Sequence, residues 1–288
     1  MPADLTDDLR AGLASPDGGL ARTALVIARL EYPRLDPAPY LLQLDALGTR
    51  AAEHIASAVA ASGDGSTTSR VTALGQFLFE QEGFSGNRER YDDPRNSCLN
   101  EVLDRRTGIP ITLAAVYMEV ARRVGIPMDG VGFPGHFLVR CVHDGAAELI
   151  IDPFDTGAIL SDRACRRLLK KHMGDTVFDR TLLAPATRTQ ITVRMLLNLK
   201  RLYVEMRSFP QARNVTDLLL AIDPSGLSEL RDRGLLAYHL NDFPTALRDL
   251  QTYLSLSGRG EADEEARSEQ ERIWEHIKTL KRRVASLN

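Results

Sequence analysis

The stretches "GFPGHFLVR" at 132–140 and "IDPFDTG" at 151–157 decide how the chain is read. Both are short runs rich in Val, Ile, Leu and Phe, interrupted by glycine and proline, and that pattern predicts strands rather than helix. The "HDGA" between them, 143–146, reads as a hairpin turn, so the two strands are expected to pair antiparallel. His136 then falls near the start of the first strand and Asp152 at the end of the second. A carboxylate delivered beside an imidazole in this way normally orients the ring next to a nucleophile. Neither run supplies one.

Upstream the period changes from two to 3.6. In "PITLAAVYMEVARRVG", 110–125, Pro110 opens a helix at its first turn, Leu113, Val116, Tyr117, Val120 and Val124 share a face, and Gly125 stops it. Before it, "GFSGNRERYDDPRNS" at 83–97 has no period and reads as a long irregular connection. Asn96 or Ser97 is expected to cap a short helix through Arg106, which Gly108 ends as a left-handed cap. From Gly18 to about Ala61 apolar residues recur at helical spacing, broken by Pro33, Pro37 and Pro39; 60–69 reads as a loop and 70–82 as a further helix. The fold class is therefore α+β, a mostly helical chain with a small antiparallel sheet. The expected division is N-terminal helices over 1–69, a sheet-bearing domain over 70–185 and a helical array over 186–288.

The array repeats itself. "SFPQA" at 208–212 and "DFPTA" at 242–246 place Phe209 and Phe243, Pro210 and Pro244, and Ala212 and Ala246 at a constant offset of 34 residues. That is the tetratricopeptide period. Leu196, Leu199, Tyr203 and Pro224 fit the first copy, and Leu230, Gly234 and Ala237 the second. The small Ala212 and Ala246 let paired helices approach closely. Two repeats leave an apolar face open, and the last stretch, with Ile273, Trp274, Ile277, Leu280 and Val284 at helical spacing, is expected to cover it.

Composition narrows the function. With 288 residues, 43% hydrophobic and 26% charged, the chain has the balance of a soluble globular protein. A net charge of -3 gives no global attraction to phosphate backbones, so nucleic acid is not expected as a partner. Cys98, Cys141 and Cys165 are odd in number and lack CxxC spacing, which argues against disulfides and zinc and for a reducing, cytoplasmic setting. The opening "MPADLTDDLRAGLA" carries acids where a signal peptide carries basic residues, and no apolar run approaches the ~20 residues that span a bilayer. No membrane association, cofactor or metal is expected, the histidines lacking HxH or HxxxH spacing.

The segments "NRERYDDPRNSCLNEVLDRRTGIPITLAAVYMEVARRVGIPMDGVGFPGHFLVR" and "IDPFDTG", followed by tetratricopeptide-like repeats, resemble the SirB1 family. The resemblance covers roughly residues 40–260. It implies a transglutaminase-like, papain-like front domain and says more about fold than about activity. Active members of that superfamily place a cysteine at the N-terminus of the helix preceding a "GIP" motif, where free N–H groups and the helix dipole favour the thiolate. Counting back from Gly125-Ile126-Pro127 puts that slot at Ile111, give or take one residue, and no cysteine stands there.

Thr112 lies beside the slot, but its hydroxyl is far less acidic than a thiol and has its own helix to bond. Cys98 opens a helix, yet a different one from the superfamily's. Cys141 points away from His136 by strand alternation, Cys165 has no acid–base partner nearby in sequence, and His172 stands beside two lysines. The loop residues Asn87, Arg90, Tyr91 and Asn96 are candidates to fold over the His136 cleft and bind a peptide or a small anion. Two readings follow. The favoured one is a non-catalytic protein-interaction module in which a transglutaminase-like domain without its cysteine binds a protein or peptide through the His136 cleft and the repeats. The alternative is a hydrolase or acyltransferase using Thr112 or Cys98 with His136 and Asp152.

Overall fold

A computed structural model describes residues 3–15, 19–142, 148–257 and 264–285. The "HDGA" turn and His143 lie outside the described residues. The chain divides into two compact units, Ala11–Met195 in one and Met1–Arg10 with Leu196–Asn288 in the other.

The helices that open the chain are α1 (Ala3–Ala14), α2 (Leu20–Ala28), α3 (Ala38–Ser62) and α4 (Thr67–Gly75). Ser66 caps α4 by accepting from the Ser69 N–H, as its place after a Gly/Asp/Ser loop allows. Where the sequence predicts one helix over 70–82, α4 gives way to a π-turn at Gln76–Gln81, and the Glu82 N–H reaches the Phe77 carbonyl. This turn carries Phe79 onto the ring of Tyr117 and the bare Cα of Gly157.

Two short strands, β1 (Ser85–Gly86) and β2 (Thr107–Gly108), pair in parallel around α5 (Leu99–Arg105). The caps expected here are displaced. Asn96 and Ser97 belong to a 3-10 turn, Pro94–Ser97, and the left-handed residue that closes α5 is Arg106 (φ 57°), which frees Gly108 to sit in β2. The following helix, α6 (Pro110–Arg123), is buried along almost its whole length, with Tyr117 fully enclosed.

The sheet has five antiparallel strands: β3 (Asp129–Val131), β4 (Leu138–Cys141), β5 (Leu149–Asp152), β6 (Ala158–Leu160) and β7 (Pro185–Ala186), in the order β6-β5-β4-β3-β7. The run 132–140, expected as a strand, is a turn as far as Phe137 and joins β4 only from Leu138, because Pro134 cannot donate to a ladder and Gly135 takes a left-handed φ of 69°. His136 thus stands in that turn, two residues before β4. Helix α7 (Asp162–Met173) lays Cys165 and Leu169 on the sheet, in a core with Phe133, Leu138 and Ile150.

The second unit carries the repeats. Helix α8 (Arg188–Glu205) is followed by α9 (Phe209–Ile222), α10 (Leu227–His239), α11 (Phe243–Ser257) and α12 (Glu264–Ala285). Arg207 (φ 57°) and Asn241 (φ 60°) occupy the same left-handed position, and Ser208 and Asp242 donate to Tyr203 and Ala237 in the same geometry at 2.8 and 2.9 Å. The 34-residue period is thus repeated in backbone conformation. Ala212 and Ala246 are fully buried, and a Cβ on Gly234 would lie 2.8 Å from Leu250. Helix α12 covers the open face with Ile273, Ile277 and Leu280, whereas Trp274 turns outward under Lys281. The Val284 side chain lies outside the described residues.

Candidate functional site

The β4/β5 register determines the pair at the centre of the site. Val139 faces Ile151, which places Asp152 opposite Leu138 and within reach of the turn before it. Nε2 of His136 lies 2.9 Å from both carboxylate oxygens of Asp152, and both residues are buried, at 6% and 4% exposure. The same carboxylate accepts the N–H groups of Phe154 at 3.0 Å and Asp155 at 3.3 Å, closing the Pro153–Asp155 turn. With Nε2 committed to Asp152, the proton acceptor left on the ring is Nδ1, which makes no hydrogen bond among the described residues.

The His136 ring is held from two sides. Phe154 meets it edge-on at 5.8 Å, and His172 of α7 stacks on it at 5.5 Å and 23°. Burial and the neighbouring His136 and Lys171 hold His172 below the ordinary imidazole pKa. Gly135 permits the stacking, since a Cβ there would lie 2.5 Å from the His172 Cβ. Around the pair opens a cleft of about 370 Å³, into which Arg88, Tyr91, Pro110, Leu168 and Lys171 also project. Arg88 pairs with Asp155 at 2.9 Å and lies 5.0 Å from the Phe154 ring centroid, while Tyr91 meets that ring edge-on.

The other wall of the cleft is the N-terminus of α6, and there the residue lining the cleft with His136 is Pro110 and not Ile111, though both are buried. A proline ring has no ionisable atom and no N–H. Thr112 is fully enclosed: its hydroxyl donates to the Asn96 carbonyl at 2.7 Å and accepts the Ile109 N–H at 3.1 Å. Cys98 is fully buried, and burial pushes its thiol up to about 12, so thiolate is suppressed there. Burial also raises Cys165, to about 11, and Cys141.

Of the four loop residues expected around the cleft, Tyr91 lines it. Asn96 is fully buried inside its own loop, donating to the Arg90 and Tyr91 carbonyls and accepting from Asn87 at 3.1 Å and Arg105 at 2.7 Å. Asn87 accepts the Arg90 N–H, so the two asparagines staple the loop, and Arg90 stays exposed outside the cleft. Sequence reasoning missed Arg88, Phe154 and the cleft-facing edge of α7. Only His172 beside its lysines was marked in sequence, with nothing to aim it at His136. Among the described residues no group of three His, Cys, Asp or Glu is placed to hold a metal ion, and no helix is long and apolar enough to cross a membrane.

Residues 38–197 match the transglutaminase-like superfamily, and residues 199–272 match a tetratricopeptide repeat. A UPF0162 protein of Xylella fastidiosa is 42% identical over 242 residues, covering 82% of this chain and 83% of the relative. The chain belongs to the UPF0162 family. A second UPF0162 protein, from Vibrio cholerae, is 31% identical over 186 residues, 64% of this chain and 68% of its own. The likeness extends to F-box only protein 21 of Mus musculus, 33% identical over 183 residues, 60% of this chain but 28% of that protein. In this UPF0162 chain the superfamily match takes in both walls of the His136 cleft.

Proposed function

We propose that the transglutaminase-like domain is a binding module that performs no acyl chemistry, taking a peptide segment in the His136 cleft, and that the tetratricopeptide-like helices engage a protein partner. The observation that carries this reading is Pro110 at the helix end facing His136. Acyl transfer needs an atom there that a base can activate, and the hydroxyl of Thr112, two residues along the helix, is turned inward with its bonds made. His136 and Asp152 then shape the floor of the cleft, and Tyr91 and Phe154 its aromatic side. Repeats of this kind generally present extended binding surfaces, and three buried free thiols suit a reducing, cytoplasmic location.

The test is covalent labelling with two broad electrophiles, a fluorophosphonate and iodoacetamide, on the folded protein and its His136→Ala variant. The expected result is slow labelling, equal in the two proteins. Rapid modification of Thr112 or Cys98 that disappears in His136→Ala would replace this reading with a hydrolase or acyltransferase.

A further inference from the structure

Helix α7, "DRACRRLLKKHM", carries Arg163, Arg166, Arg167, Lys170 and Lys171 against the single acid Asp162, in a chain whose net charge is -3. All five cations are exposed, since Cys165 and Leu169 occupy the face that packs on the sheet. At i,i+4 spacing Arg163 faces Arg167, Arg166 faces Lys170 and Arg167 faces Lys171, three like-charge pairs that work against the helix. Arg163 also lies in the first turn, where the helix dipole disfavours a cation. Several arginines elsewhere in this unit are matched: Arg50 and Arg106 with Glu82, Arg123 with Glu119 and Asp45, Arg140 with Asp129 and Glu148. On α7, Arg163, Arg167 and Lys171 have no acidic partner among the described residues; Lys170 reaches the exposed Asp175, and Arg166 packs on Phe178. The same helix lines the His136 cleft with Leu168, Lys171 and His172.

A stripe of cations that weakens its own helix and runs into a cleft is complementary to an extended anionic chain. We propose that the exposed face of α7, from Arg163 through Arg167 to Lys171, docks an acidic segment of polypeptide whose end enters the His136 cleft. The assignment rests on the cleft being a peptide site, as proposed above. From Arg163 to Lys171 the helix rises about 12 Å, the reach of about four residues of extended peptide. A peptide fits better than nucleic acid because the three cations recur about every 6 Å along the helix, close to the ~6.6 Å between alternate side chains of an extended peptide, whereas a duplex carries a phosphate charge about every 1.7 Å.

The probe is fluorescein-labelled decaglutamate, followed by anisotropy on the full chain at low salt. Binding is expected to weaken as salt rises and to fall about tenfold or more in Arg163→Glu/Arg167→Glu. The control Arg34→Glu/Arg272→Glu carries the same change in net charge at exposed positions and is expected to stay within about twofold of the parent. Equal loss in both double variants, no binding by the parent, or tighter α7-dependent binding of a ten-base oligothymidylate or of phosphatidylserine vesicles would each overturn the proposal. Should the glutamate pair fail to fold, Arg163→Gln/Arg167→Gln keeps the stripe uncharged and must still weaken binding. The labelling experiment reads the cleft and this one reads α7. Rapid His136-dependent labelling removes the binding-module reading, while failure of decaglutamate with slow labelling removes only the acidic partner.

Discussion

The two walls of the His136 cleft keep their polar atoms for different reasons. On the β4/β5 wall the Asp152 carboxylate meets an imidazole and two N–H groups of its own turn, so a pairing that looks catalytic is also what closes Pro153–Asp155. On the α6 wall the Thr112 hydroxyl is spent on the Asn96 carbonyl and the Ile109 N–H, tying loop to helix, and a proline ring faces the cleft. One wall has a fold reason to retain acid–base geometry. The other keeps the Thr112 hydroxyl in bonds of its own. A histidine–aspartate pair therefore reports on chemistry only when the opposite wall presents something to activate.

The sharpest way to break this comparison is to remove the shared carboxylate. Asp152→Ala orphans His136 Nε2 and two backbone N–H groups at a buried position, and a loss of about 3 kcal/mol or more is expected, measured by urea unfolding. Should Asp152→Ala cost no more than Thr112→Val, the carboxylate does not hold its turn. Thr112→Val is expected to cost ~1–3 kcal/mol, because it leaves the buried Ile109 N–H unpaired and removes the donor to Asn96; the pH titration of the His172 imidazole, followed by NMR, should not move. Gly135→Ala comes next, at ~1–2 kcal/mol for a side chain at φ 69°. Its methyl must also displace His172, so the His172 titration should shift toward the ordinary value, and an unmoved titration would deny the close stacking.

The smallest effect concerns pH. His172 is held below its usual pKa of 6.5 by burial and by His136, so the unfolded chain takes up its proton first as pH falls. The folded state is therefore favoured fully above about pH 6.5 and loses that advantage on acidification until the folded protein protonates as well. The residue as a whole is exposed and its burial only partial, so solvent screening keeps the slope shallow. Melting curves between about pH 5 and 7.5 should be slightly flatter in His172→Gln than in the parent; an identical slope would remove the coupling.

Much of this architecture is written in local pattern. The α6 stripe, the β4 and β5 runs, the 34-residue repeat and the covering helix α12 each follow from a period that burial imposes on side chains. What escaped was non-periodic. The six-residue turn around His136 was absorbed into a strand although Pro134-Gly135 marks it, and β1, β2 and β7, two residues each, are too short to show alternation. Asn96 looked like a surface ligand because polar residues in loops usually are; its burial depends on Arg105 and Asn87 arriving from elsewhere in the fold. The cleft-facing edge of α7 depends on how a helix docks on a sheet, which no spacing within the helix encodes.

The matching turns at Arg207 and Asn241 bear on how such an array grows. Each 34-residue segment carries its own left-handed corner and its own Ala at the crossing, so the chain's change of direction is inherited with the segment and not supplied by its neighbours. A tandem duplication, cut anywhere in that frame, hands the new copy a complete set of instructions for reversing course. The covering helix α12 needs no alteration, since it reads only the last copy. Length in this part of the protein is thus a variable that a single recombination can change.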